Sequence, residues 1–199
     1  MDRPTVASRD FTLGYVGSAG TWYLFDVFLE SFRQLRLVRP NARALILNRG
    51  EHDLIREAIS LAGIPSDAVE LRAADHAEVP FQMARMDATA FFIRPVFSKR
   101  ASAPTKLAEF LGCGIPCLTN TGVGDMSKIL EEAQVGVAIS SFDVVSIRAG
   151  VAELLTLCED PVLRLRCRAA AVLHFSLAKG VLAYNKIYDS FDQLKLPSQ

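Results

Sequence analysis

The chain has 199 residues, with 22 basic and 22 acidic side chains and a formal net charge of zero. That balance supplies no bulk field to recruit nucleic acid or an anionic membrane. A hydrophobic content of 50% and a mean hydropathy of +0.22 exclude a disordered chain. The length suits one domain, and no apolar run reaches the roughly 20 residues of a membrane span. Cys113, Cys117, Cys158 and Cys167 contain no C-x-x-C pair, and His52, His76 and His174 are scattered. No metal site is expected from such spacings. The cysteines read as small buried residues in a reducing, cytoplasmic compartment.

Residues 1–10 read as an irregular leader without an apolar signal core. Phe11–Val16 reads as a first buried strand, and Gly17-Ser18-Ala19-Gly20-Thr21 as a small-residue turn. Trp22, Phe25, Phe28, Leu29, Phe32 and Leu35 then recur at helical spacing, with Thr21 as the expected N-cap. Strand, glycine turn and helix present backbone N–H groups to a phosphate, or else bring helix onto sheet through a tight turn. The spacing of Gly14, Gly17 and Gly20 is not the G-x-G-x-x-G fingerprint. Strand 42–47 ends in Asn48-Arg49-Gly50, without the acidic residue a nicotinamide nucleotide's ribose needs, which argues against a dehydrogenase.

Glu51–Ala62 predicts an amphipathic helix stopped by Gly63-Ile64-Pro65. Further strands are expected at 68–73, 88–93, 117–120 and 135–139. A short helix is expected at 76–86, and others at 126–133, from Asp143 to Leu157, from Asp160-Pro161 to about His174, and at about 178–194. Asp125 is the expected cap of the helix at 126. The aromatic stripe of the last helix (Tyr184, Tyr188, Phe191) is expected to pack on the chain's own core. Six β-α units in alternation predict an α/β fold: a doubly wound, parallel, six-stranded sheet with helices on both faces, forming one Rossmann-like domain over 11–199. Ligands of such sheets sit off the C-terminal strand edges, where loops 17–21, 94–104 and 120–125 gather.

The stretch Ser102-Ala103-Pro104-Thr105-Lys106-Leu107-Ala108-Glu109-Phe110-Leu111-Gly112-Cys113-Gly114-Ile115-Pro116 predicts a short helix with Pro104 at its start and a Ser102 capping oxygen nearby. Gly112, Gly114 and Pro116 end it. Lys106 and Glu109 share one face; Leu107, Phe110 and Leu111 form the core face. A cation and a carboxylate at a helix start beyond a strand suit a phosphorylated, hydroxyl-bearing ligand, or else form a surface ion pair. The loop before the helix adds Arg94, Lys99 and Arg100; it is either a charged rim or a solvated basic loop.

The run SAPTKLAEFLGCGIPCLTNTGVGD resembles the signature of retaining GT-B glycosyltransferases of the family 4 type. The resemblance begins near Phe11 and covers only the C-terminal, donor-binding half of such an enzyme. It implies transfer of a sugar from a nucleotide donor, with retention of anomeric configuration and without metal or further cofactor. Glu109 matches the second Glu of the family's E-x7-E motif and would accept hydrogen bonds from the nucleotide ribose. The first Glu falls at Ala101, so the motif is incomplete. The Arg and Lys that relatives place after the first strand are replaced by Ser18, Ala19 and Trp22. Lys99, Arg100 and Lys106 are therefore the candidates for offsetting charge on the leaving diphosphate. Gly17, Ser18, Gly20, Ser102, Thr105, Gly122 and Gly124 are the expected nucleotide-sugar contacts. The resemblance further implies an N-terminal acceptor-binding domain, inactivity of this half alone, and peripheral membrane association of a full-length enzyme. Three other readings stay open. They are a non-catalytic nucleotide- or partner-binding module, an enzyme such as a sugar-nucleotide epimerase, and a structural role.

Overall fold

The computed structural model describes residues 10–20 and 22–192. Six strands, β1 (Thr12–Val16), β2 (Arg43–Leu47), β3 (Val69–Arg72), β4 (Ala88–Ala90), β5 (Cys117–Asn120) and β6 (Gly136–Ile139), form one parallel sheet in the order β3-β2-β1-β4-β5-β6. The sheet is an α/β Rossmann-like one, and the chain reverses its direction of winding between β1 and β4. Central strands are apolar because helices cover both faces: Leu45, Ile46 and all of β4 are buried.

The helices are α1 (Phe25–Val38), α2 (His52–Leu61), α3 (Val79–Met83), α4 (Thr105–Gly112), α5 (Met126–Ala133), α6 (Val144–Cys158), α7 (Leu163–Phe175) and α8 (Leu177–Asp192). α1 packs beside α6, while α4 and α5 pack against α7. The 3.6-residue stripe expected of α1 is its buried face: Phe28 and Phe32 have no exposure, and Tyr15 meets Phe25 and Phe28 at ring-centroid distances of 5.0 and 4.9 Å. Phe91 stacks on Phe110 of α4 at 5.9 Å. The four cysteines are free thiols, with Cys117 and Cys167 buried. Burial pushes the Cys158 and Cys167 thiols up to about 12.

Several boundaries differ from the sequence reading. The β4 ladder stops at Ala90 rather than Ile93. Beyond it the Tyr23 backbone forms an antiparallel bridge to Ile93, and the Asn120 amide grips the Ile93 N–H and C=O at 2.9 and 3.0 Å. Tyr23 and Leu24 thus lead into α1 from that bridge, and Trp22 lies before the helix. The expected Thr21 cap, the leader over 1–9 and the last helix beyond 192 lie outside the described residues. The short helix at 76–86 is only α3. Asp143 caps α6 through the Ser146 N–H at 2.9 Å, whereas Asp125 stands before α5 without a side-chain cap bond. The stripe on α8 is not packed on the core: Tyr184, Tyr188 and Phe191 are exposed, because the helix projects past α7 instead of folding back on the sheet.

Candidate functional site

The C-terminal ends of β1, β2 and β4 carry three loops that meet at the switch point. Gly17 turns the chain out of β1 at φ +113°. A Cβ there would lie 2.5 Å from Lys106 Nζ, so glycine is needed for the backbone angle and for the lysine that lies against it. Gly20 has no such requirement, since its nearest neighbour would be 3.6 Å away. Ser18 and Ala19 are held from the start of α2. Glu51 accepts the Ala19 N–H at 2.9 Å, the Ser18 hydroxyl at 3.1 Å and the Asn48 amide at 2.7 Å. Asn48 also donates to the Gly17 carbonyl at 2.9 Å. These donors, the Ala19 N–H foremost, hold the Glu51 carboxyl below the usual carboxylate range. Beside this clasp opens a cavity of about 340 Å³, lined by Val16, Ser18, Asn48, Glu51, Ala74 and Val79.

α4 supplies the other wall. It begins after Pro104, and Ser102 makes no cap bond to it. Leu107, Phe110 and Leu111 are buried as their spacing predicts, which fixes the rotation of the helix and aims Lys106 across the end of β1. Of the two readings left open for Lys106, a surface ion pair with Glu109 is not formed among the described residues. Its Nζ lies 3.3 Å from the ring centroid of Tyr23 and 5.3 Å from that of Tyr15. It is shielded from solvent and has no hydrogen-bond partner among the described residues. Burial pulls its pKa down to about 8, against the opposing pull of Glu109 and Glu51. The Tyr23 phenol is pushed up by burial and by Glu109, and that of Tyr15 by burial, Tyr23 and Glu51. Thr105 and Glu109 are exposed on the same rim.

The 94–104 loop contains a 3-10 turn at Phe97–Lys99. Lys99 Nζ lies over the Trp22 ring at 4.6 Å, whereas Arg100 lies over Phe97 of its own turn at 5.8 Å. The Lys99 carbonyl accepts the N–H groups of Ser102 and Gly124, both at 3.1 Å. Gly124, at φ +46°, would drive a Cβ to 1.8 Å from the Ser102 carbonyl oxygen. Gly122 and Gly124 therefore pass directly under the Pro95–Ser102 loop. The structure thus brings Gly17, Ser18, Lys99, Lys106, Glu109, Ser102, Gly122 and Gly124 to one rim, and turns Arg100 aside.

Sequence reasoning missed Glu51, Asn48, Tyr15 and Tyr23. Asn48 and Glu51 flank the β2–α2 turn, and a polar residue ending an otherwise apolar strand was the available signal. Tyr15 lay inside a run that read as a buried strand, and Tyr23, beside Trp22, carried no signal of its own. Among the described residues, no group of three or more His, Cys, Asp or Glu side chains could hold a metal ion, and no helix is long and apolar enough to cross a membrane.

The parallel sheet reversed at β1/β4 is a Rossmann-like fold, with a carboxylate and a buried cation at its rim. No protein-family profile and no curated protein matches the sequence. Solved structures do match. The pneumococcal O-GlcNAc transferase GtfA, in complex with UDP and GlcNAc, superposes with a TM-score of 0.69 at 18% identity, over 96% of this chain and 38% of that one. A TarM variant from S. aureus, in complex with UDP among other ligands, gives 0.71 at 11% identity, over 90% of this chain and 35% of that one. Sucrose-phosphate synthase from Thermosynechococcus elongatus gives 0.70 at 13% identity, over 95% and 47%. The chain thus spans between about a third and a half of these proteins. The identities establish likeness of fold.

Proposed function

We propose that the chain is the donor-binding half of a retaining GT-B glycosyltransferase. It holds a nucleotide-diphosphate sugar, and an acceptor-binding half completes the enzyme. The observation that carries this reading is the pair on α4: Lys106 and Glu109 reach the rim of the sheet at its switch point, in a fold whose neighbours bind UDP. Glu109, exposed and acceptor-only, suits two vicinal ribose hydroxyls. Lys99 and Lys106 supply cations where glycosyl–phosphate cleavage puts negative charge on the leaving diphosphate. Arg100 reaches that charge only by leaving Phe97. The backbone of Ser102, Thr105, Gly122 and Gly124 borders the place left for the sugar, and no metal is required by this chemistry.

Isothermal titration with UDP, GDP, ADP, CDP and dTDP, and then with their sugars, tests the reading. Saturable binding of one nucleoside diphosphate and of its sugar is expected; no binding by any of them overturns it. Ala101, where a carboxylate would face the sugar, favours a second reading in which the module binds donor without catalysis. Release of nucleoside diphosphate from the sugar donor by a longer protein containing this chain separates the two, since a binding module leaves the donor intact.

A further inference from the structure

The free N–H groups of the turn after the first strand are the customary seat for a phosphate in a sheet of this kind. Here one of them is already taken. Glu51 accepts the Ala19 N–H, and its charge stands where a phosphate oxygen would come. A second anion beside that carboxylate would be repelled. The cation nearest the turn is Lys106, whose Nζ lies against Gly17 with no hydrogen bond to any described residue. An ammonium stripped of water and left without acceptors is costly, and here only ring faces and more distant carboxylates compensate it. Tyr23 is the cover, and its two ends differ. Its backbone is pinned by the bridge to Ile93 and by its N–H to the Gly20 carbonyl at 3.3 Å, while the phenol has no hydrogen bond among the described residues and is half-buried. The ring can turn about χ1 without disturbing the sheet.

Resting on the nucleotide-sugar reading, we propose that the donor's diphosphate is received by Lys106 when the Tyr23 ring swings off it, and not by the 17–20 turn, whose Ala19 N–H Glu51 occupies. The groups facing Lys106 are Tyr15 from β1, Tyr23 before α1, Glu51 at the head of α2 and Glu109 on α4. A dianionic ligand outweighs burial and restores the full charge of the ammonium, so binding takes up a proton. With a free value of about 8, roughly half a proton is taken up at pH 8, and affinity falls up to tenfold per pH unit above that.

The test is isothermal titration of the intact chain with the nucleoside diphosphate that binds best, and with inorganic pyrophosphate. Lys106→Met should weaken both at least tenfold without lowering the melting temperature, and Tyr23→Ala should tighten both. At pH 8 the binding enthalpy of the unaltered chain should differ between Tris and HEPES by about half the difference between the two buffers' ionisation enthalpies. Absence of any nucleotide binding overturns this inference together with the reading beneath it. Binding by Lys106→Met within twofold of the unaltered chain, or weaker binding by Tyr23→Ala, overturns this inference alone.

Discussion

Glu51 reaches from the head of α2 to the Ala19 N–H at 2.9 Å, so the loop after β1 is shaped from the end of β2. Glu51→Ala should cost about 1 kcal/mol at pH 7, the worth of a hydrogen bond to a partly exposed charged group. The folded carboxyl titrates below its ordinary 4.5, so this stabilisation is present above 4.5 and is lost as pH falls through the lowered value. Urea unfolding at pH 7 and pH 3 should therefore show the mutant's deficit shrinking in acid. A deficit independent of pH would mean that the carboxylate does not hold the loop.

Lys106 should destabilise the unliganded fold. Its ammonium gives up a proton near 8 when folded and near 10.5 when unfolded, so between those values the unfolded chain binds the extra proton. Stability from this group consequently rises with pH from about 8 to 10.5. Lys106→Met should be the more stable protein at pH 7, by up to about 3 kcal/mol for a shift of this size. The advantage should narrow toward pH 10.5, and thermal melting of both proteins across that range checks it.

Gly124, in the loop after β5, and Gly112, at the end of α4, offer a contrast. A Cβ on Gly124 meets the Ser102 carbonyl at 1.8 Å, whereas one on Gly112 meets nothing within 4 Å. Gly124→Ala should cost about 3 kcal/mol and displace the 97–102 segment. Gly112→Ala, in the last position of α4, should be neutral or stabilising by about 1 kcal/mol. Melting temperatures of the two variants, each against the parent, decide this.

On the proposed reading Glu109 accepts from the ribose hydroxyls. Glu109→Gln should weaken the preferred ribonucleoside diphosphate about tenfold, as expected for losing hydrogen bonds to a charged acceptor. The 2′,3′-dideoxy analogue should bind parent and variant alike. Equal losses with both ligands would place Glu109 elsewhere than at the hydroxyls.

The order of elements was legible because it rests on short-range signals. The buried stripe of α1, the core face of α4, and strand β5 with its following helix all follow from spacing within a few residues. Boundaries were less legible where a distant partner ends an element. β4 stops at Ala90, beyond which the Tyr23 backbone and the Asn120 amide take over the pairing at Ile93. The site was half legible: Lys106 and Glu109 stood out as charges beside punctuation, but nothing local showed that Lys106 would lie against Tyr15 and Tyr23.

By itself the sequence determined that this is a parallel α/β sheet and which face of each central helix is buried, since periodicity and turn chemistry act through neighbours a turn apart. Only the tertiary structure decided that Lys106 lies against the Tyr23 ring and near that of Tyr15, that Glu51 holds the loop after β1, and that the aromatic stripe of α8 is exposed. Those relations join segments remote in sequence that parallel crossovers bring to one edge of the sheet. Such meetings are fixed by the packing of whole helices, which no local pattern encodes.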